Sequence, residues 1–395
     1  MKIWFCIVAL VVMAAPTGMA QNSIDLPEAL ARVRVQHVQV QAQKVYLQQQ
    51  EALKGAAKGH PAGGFGYGFE EWGAAGSGVH SLYYNQSFNL PAVAKRRADL
   101  QTALIAAGSS QLMAIELQLE RAVAQQYQQL LYYKSQQNLN EQLLLLYDSI
   151  VVIAQKRAQV GETGQLPLLT TQTAQQQLAL QQLQLKQQLE AGLVDLQLLL
   201  YDSTVTAIKD SVLQAPLLTF ATSNPQNHPL VRQIQQEQEV LQQRREVLQS
   251  QWLPQLNVGV QLQVVEGSFP NAAGQLGWTV PLFRKGLKAQ LKGNELGQEQ
   301  LLLHATASSQ QIGLNQKRAW QQLQALQQQL SYLEAQVLPT LLLQQSFLRK
   351  AYAVGEIDYL NVLQSLQQVL QARQQYLELL LQLNLQWIDY QYWTS

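Results

Sequence analysis

Few residues in this chain have types and spacings that could do chemistry, and none of them forms a catalytic set. There is one cysteine, Cys6, too few for a disulfide framework or a thiolate zinc site. The five histidines stand at positions 37, 60, 80, 228 and 304, with no HExxH and no close pair. His228, beside Pro229, reads as a turn residue. The sequence has no nucleophile elbow, phosphate-binding glycine loop or paired catalytic carboxylates. The reading is a non-enzyme with no cofactor and no resident metal.

Charge gathers instead at two glycine turns and in one basic cluster. Gly161 is followed by Glu162, and Gly355 by Glu356 and Asp358, with Arg157 and Arg349 shortly before. Glycine tolerates positive φ, so each turn can reverse the chain. The carboxylates have three readings: helix-start residues stabilised by the dipole, contacts for a partner, or acidic rings favouring cations where symmetry repeats them. The arginines would pair with such groups or stand in solvent. The second cluster is Lys95, Arg96, Arg97, Arg284, Lys285 and Lys288. Over the whole chain, 27 Lys and Arg meet 26 Asp and Glu, net +1, so no overall field points to nucleic acid.

The elements that must position these groups are mostly long helices. The N-terminus reads as an export signal: Lys2, an apolar run from Ile3 to Ala15, and small residues up to a cut after Ala20. That run is shorter than the roughly 20 residues needed to span a bilayer. Glutamine accounts for 70 of the 395 residues and alternates with leucine in long runs. Helices are expected over Asp25–Leu53, Ala92 to about Val160, Leu168–Ser211, Leu230–Trp252, Gly286–Val354 and Asp358–Tyr390. Asp25 with Glu28 resembles a capping box, Pro91 suits a first helical turn, and Pro339 predicts a local irregularity. In the last helix Leu363, Leu366, Leu370, Arg373, Leu377, Leu380, Asn384 and Trp387 follow steps of three and four, a coiled-coil spacing. In the middle helix Leu180, Leu183 and Leu198 widen the stripe, as suits a helix with neighbours on both sides.

Two segments change period to two. In 63–90, Phe65, Tyr67 and Phe69 precede GAAGSG, and Leu82, Tyr84, Gln86 and Phe88 follow. In 255–283, Leu256 to Val264 and Leu276 to Leu282 alternate with Asn, Gln, Gly and Thr. Each reads as a hairpin of membrane-length strands with one apolar face. Four strands cannot close a barrel, and lipid does not tolerate open edges, so membrane strands would require several chains. Glu70 or Glu71 must then lie near a rim or face the lumen. The order helix, hairpin, long helix, break, helix runs twice. Pro91 matches Pro281 at a shift of 190, and Gly161 matches Gly355 at 194. The repeats are 21–220, with its turn at 161–167, and 221–395, with its turn at 355–358.

VPLFRKG at 280–286, NLPAVAKRR at 89–97, YAVGEIDYLNVLQSLQQVLQARQQYLELL at 352–380, its echo from Val160 through Leu189, and NHPL at 227–230 are similar to the outer membrane efflux protein family. These are the TolC-like exit ducts of Gram-negative bacteria. The resemblance covers essentially the whole mature chain. It implies a mainly α fold with transmembrane β, a homotrimer giving four strands per protomer to a 12-stranded barrel, and long antiparallel coiled-coil helices forming a periplasmic tube. It implies outer-membrane localisation and surrounding lipid. It also implies a periplasmic adaptor and, through it, an inner-membrane pump of the resistance-nodulation-division type. Size leans toward the heavy-metal branch. On this reading Arg157, Gly161, Glu162, Arg349, Gly355, Glu356 and Asp358 mark the periplasmic tip, as gate or adaptor contact. Lys95, Arg96, Arg97, Arg284 and Lys285 mark the periplasmic rim of the barrel. Tyr83, Tyr84, Phe88, Trp278 and Phe283 would form an interfacial girdle. An equatorial belt would come mainly from 209–229 and the chain ends. The other reading is a periplasmic coiled-coil scaffold or adaptor; the period-two apolar faces separate the two.

Overall fold

The computed structural model describes residues 22–70, 78–221, 223–265, 271–353, 356, 357 and 359–395. The signal, Glu71, most of GAAGSG, Gly355 and Asp358 lie outside the described residues. In chain order the elements are β1 (Asn22–Ile24), α1 (Leu26–Gln36), α2 (Val38–Ala57), β2 (Gly64–Glu70), β3 (Val79–Phe88), α3 (Pro91–Gln159), α4 (Leu166–Leu200) and β4 (Val205–Ile208). A short 3-10 turn then leads to α5 (Pro229–Ser250), β5 (Gln255–Val265), β6 (Asn271–Thr279), α6 (Lys285–Tyr332), α7 (Leu338–Ala353) and α8 (Tyr359–Thr394).

The long helical runs that follow the two hairpins match in length. α3 has 69 residues, and Lys285 to Ala353 also spans 69 through α6, a five-residue π turn and α7. At 1.5 Å per residue each runs about 100 Å, so α3 and α7 both end far from the strands. α4 and α8, with 35 and 36 residues, return only half that distance. Pro91 opens α3 at a position where its missing N–H is no loss. Lys156 and Arg157 in the last turn complement the dipole. Gly161 then takes φ +76° and the chain reverses.

Three local expectations need correction. The first helix breaks at His37, whose ψ of 129° is extended. The capping box is half formed: Asp25 accepts from the Glu28 amide at 2.9 Å, while the Glu28 carboxylate turns to Arg32 and Lys209. α4 stops at Leu200, eleven residues before Ser211, and Tyr201 caps it in the left-handed region with φ 51°. Such a conformation costs a non-glycine residue roughly 1–2 kcal/mol; the Tyr201 ring packs on the His37 edge at 4.9 Å. The freed residues form β4, which pairs in parallel with β1. The fifth helix carries its irregularity as a π turn at Leu333–Val337. Pro339 has no N–H, and its ring crowds the carbonyl four residues back, which the wider turn accommodates.

Two buried clusters hold the helices. One lies midway, with Tyr127, Leu130, Leu196, Leu200, Leu323, Leu380 and Leu383. The other lies toward the glycine turns, with Leu139, Leu143, Tyr147, Leu178, Val362 and Leu366. In α8 the buried set extends beyond the heptad to Val362, Val369, Leu379 and Leu381, because α8 touches both α3 and α6. In α4, by contrast, Leu180, Leu183 and Leu198 remain more than half exposed. The single chain exposes 24963 Å², against about 15,500 Å² for a compact monomer of this mass. Its elongated shape leaves faces that one copy cannot cover.

Gly192 lets α4 pack closely against α3. A Cβ there would stand 2.8 Å from Leu130 Cδ2. Gly192→Val should destabilise the helix pair by about 1–3 kcal/mol through overpacking. Helical melting in detergent checks this; an unchanged Tm would show that the helices are not packed at this distance.

Candidate transport duct: sheet, rim and turns

The strands form one antiparallel sheet in the order β2-β3-β5-β6. Register decides which residues share a face. Phe65, Tyr67 and Phe69 pair with Tyr84, Leu82 and His80. These in turn pair with Val260, Leu262 and Val264, and Phe88 pairs with Leu256, which sits opposite Trp278. The result is a continuous apolar and aromatic face across four strands. Its members are open in the single chain, with Phe65 81%, Leu276 72% and Trp278 58% exposed. The opposite face carries Gly64, Gly66, Gly68 and Glu70, then Ser81, Asn85 and Ser87, Asn257, Gln261 and Gln263, and Gln275 and Thr279. Ser87 Oγ donates to Asn257 Oδ1, and Asn257 Nδ2 to Thr279 Oγ1, each at 2.6 Å. That ladder ties three strands together. The outer edges of β2 and β6 have no partner among the described residues.

The register separates two adjacent tyrosines. Tyr84, Phe88 and Trp278 lie on the apolar face. Tyr83 lies on the polar face, its ring over Gly66, where a Cβ would come within 2.1 Å. Gly66 therefore makes room for Tyr83, and Tyr83 does not belong with an apolar girdle. Phe283 follows β6 and is 96% exposed. Glu70 shares the glycine face.

Four helix ends meet the sheet at the end opposite its hairpin loops: those of α2, α3, α5 and α6. Here Arg96 donates to the Glu246 carbonyl at 3.1 Å and faces its carboxylate at 3.6 Å. Arg284 lies 5.5 Å from the ring centroid of Trp252, a cation–π contact. Trp252 was not singled out by the sequence reading; an aromatic residue one turn past α5 and just before a strand was its signal. Lys95 and Lys285 are exposed, and Arg97 is half-buried.

At the far end, the amides of Glu162 and Thr163 donate to the Arg157 carbonyl at 3.0 and 3.4 Å. Arg157 Nε approaches Glu162 Oε2 at 3.8 Å, so Glu162 meets a cation of its own turn. Glu356 is exposed and its amide donates to the Ala351 carbonyl at 2.9 Å. Arg349 lies on the backbone of α7.

Midway, the chain ends and the 202–228 segment gird the bundle. Lys209 bridges Asp25 and Glu28. The Glu28 amide, then Lys209, hold the Asp25 carboxyl below its usual range, and hydrogen bonds from Lys209 and Arg32 do the same for Glu28. Arg32 links Glu28 to Asp202. Tyr127 donates to Asp210 at 2.6 Å. Arg121 pairs with Asp389 at 2.8 Å under the rings of Tyr392 and Trp393. Two buried histidines occupy equivalent places. His37 Nδ1 accepts from Gln39 N at the start of α2, and His228 Nδ1 from Leu230 N at the start of α5, both at 3.2 Å. His228 Nε2 donates to the Tyr392 carbonyl at 2.9 Å. Among the described residues no helix is long and apolar enough to cross a membrane, and no cluster of His, Cys, Asp and Glu could hold a metal.

The family model of the outer membrane efflux proteins matches residues 224–389. Over that stretch the chain is similar to the family. The fold extends the match over nearly the whole chain. A structure of CusC, a protein that undergoes conformational changes on folding and transmembrane channel formation, superposes with a TM-score of 0.78 at 18% identity, covering 97% of this chain and 95% of that one. The CmeC outer membrane channel of Campylobacter jejuni gives 0.77 at 14% identity, over 93% and 85%. The outer membrane protein VceC of Vibrio cholerae gives 0.74 at 15% identity, over 93% and 95%. No curated protein matches the chain. The chain shares its fold with these transmembrane and outer-membrane proteins.

The two histidine caps carry a pH dependence. Burial pushes both imidazoles below their ordinary range; at His228 the bond to Tyr392 opposes this in part. A depressed folded-state pKa means that the unfolded chain takes up protons first. Stability is then full above about pH 6.5 and falls as the pH drops below it. Thermal melts from about pH 7.5 to about pH 5 should show that fall. The double variant H37N/H228N, in which Asn can still cap, should flatten it. Identical slopes for both proteins would remove the histidines as its source.

Proposed function

We propose that this protein is the outer-membrane exit duct of a tripartite efflux system, a homotrimer whose twelve strands close one barrel above a periplasmic helical tube. The observation that carries this reading is the four-stranded sheet: one face apolar and exposed, the other polar, and both edges unpaired among the described residues. Only a shared, closed barrel satisfies such edges in lipid. A periplasmic scaffold has no use for a lipid-length apolar face. The relatives' fold supports a duct that takes cargo from a periplasmic adaptor and an inner-membrane pump of the resistance-nodulation-division type. The glycine turns, with Arg157, Glu162, Arg349, Glu356 and Asp358, would form the end that meets the adaptor or gates the tube. Conduction is passive, and the cargo is metal ions or small toxic compounds moving from periplasm to exterior. The polar face is lined by neutral amides, hydroxyls and glycine, with Glu70 its one carboxylate among the described strand residues. Such a wall conducts hydrated solutes without a strong charge preference.

Outer membranes extracted in mild detergent test the duct. Unheated protein should run near three protomers and collapse to one band on boiling. A monomer released by salt or carbonate alone would replace the duct with a peripheral scaffold. Deleting the gene should sensitise cells to metals, to organic toxicants or to both, and the pattern names the cargo.

A further inference from the structure

The chain as a whole is nearly neutral, but its charge is unevenly spread. Ten-residue windows at the four helix ends that meet the sheet are 51–60, 91–100, 242–251 and 284–293. Together they hold eleven Lys and Arg against three carboxylates, Glu51, Asp99 and Glu246, a net of +8 in a chain of net +1. At 1.5 Å per residue, each window lies within about 15 Å of the sheet. That depth spans the headgroup zone beside a hydrocarbon core about 30 Å thick.

Three features set this collar apart from an ordinary solvated surface. First, most of its cations lack internal partners. Two of the eleven pair with collar carboxylates, Lys54 with Glu51 and Arg96 with Glu246, and Lys292 pairs with Glu295 just beyond. Lys95, Arg97, Arg244, Arg245, Lys285 and Lys288 make no ion pair among the described residues. Second, Arg284 at the N-cap and Lys285 in the first turn of α6, which has no acidic residue, oppose that helix's dipole. Internal stability does not favour them there. Third, aromatic side chains accompany the cations at this depth: Trp252 beneath Arg284, and Phe283 almost fully exposed. Cations with aromatic rings at one depth match a lipid–water interface.

We infer that this collar binds the anionic phosphate head groups of phospholipids in the periplasmic leaflet of the outer membrane, fixing the depth of the barrel. The inference rests on the duct reading, because only that reading brings lipid to the sheet. Lys and Arg gain from an anionic bilayer surface in proportion to their number near it, and the gain falls off within a Debye length. In a trimer the collar repeats three times.

Native mass spectrometry of the detergent-extracted full chain tests it, titrating phosphatidylglycerol against phosphatidylcholine. The oligomer should retain phosphatidylglycerol preferentially, and the preference should shrink as salt rises from about 50 to about 500 mM. The triple variant Lys95→Gln, Lys285→Gln and Lys288→Gln replaces side chains that make no ion pair, and Gln keeps helix propensity. It should hold phosphatidylglycerol about tenfold or more weakly while phosphatidylcholine retention stays unchanged. Equal retention of both lipids, or an unaltered preference in the variant, overturns the inference. So does displacement of phosphatidylglycerol by inorganic phosphate at equal concentration, which would reveal a site for free anions. A boiling-sensitive oligomer without lipid preference defeats this inference alone. Absence of that oligomer defeats the duct reading and the inference with it.

Discussion

Backbone hydrogen bonding at a sheet edge is the constraint on which the rest of this structure depends. β2 and β6 each present a row of N–H and C=O groups with no partner among the described residues. In water such edges risk aggregation; in hydrocarbon each unsatisfied group costs several kcal/mol. A face with Phe65 and Leu276 open to its surroundings cannot be left in water either. Lipid on one side and another copy at each edge satisfy both demands. Period-two alternation, small residues on the polar face and confinement of the one described strand carboxylate, Glu70, to that face then follow from geometry.

The helices solve a different version of the same problem. A wall one helix thick must be apolar toward its neighbours and wet on its two free surfaces. Charges could wet those surfaces, but rings of like charge would repel in a symmetric assembly. Glutamine has good helix propensity and no charge, and exposed glutamines recur along the helices. The exposed leucines of α4 fit the same scheme. They are a second stripe on a helix whose first stripe, Leu178, Leu185 and Leu196, is already buried. Some buried polar groups bond the segment that follows α4. Asn384, for example, donates to the Gln214 carbonyl.

The strands, the long helices and the duplication were legible in the sequence because each rests on a long periodic pattern or on a proline or glycine at a fixed offset. β1 and β4 were not. Three and four residues are too short to show a period, and their pairing joins positions 22–24 to 205–208, which no local signal reports. The break at His37 was hidden for a related reason. Val35, Val38 and Val40 continue a helical rhythm across it, and only a side-chain acceptor on the Gln39 amide reveals the cap. With the structure in hand, His37 and His228 become a third marker of duplication, 191 residues apart, between the shifts of 190 and 194. Tyr83 and Tyr84 show a limit of another kind. Adjacent aromatics in a strand must point to opposite faces, and the partner register, not the residue type, decides which one meets lipid.

The distribution of charge follows from the same division of labour. The strands carry almost none: one face is apolar and aromatic, and the other is built largely of neutral amides, hydroxyls and glycine. The glycine turns carry both signs. Glu162 already faces Arg157 at 3.8 Å, which weakens any field a ring of Glu162 alone would set up. Glu356 is exposed and has no ion pair among the described residues. In the proposed trimer a ring of Glu162 would therefore carry a ring of Arg157 close beside it, and the first repeat's turn would present both signs rather than an acidic ring.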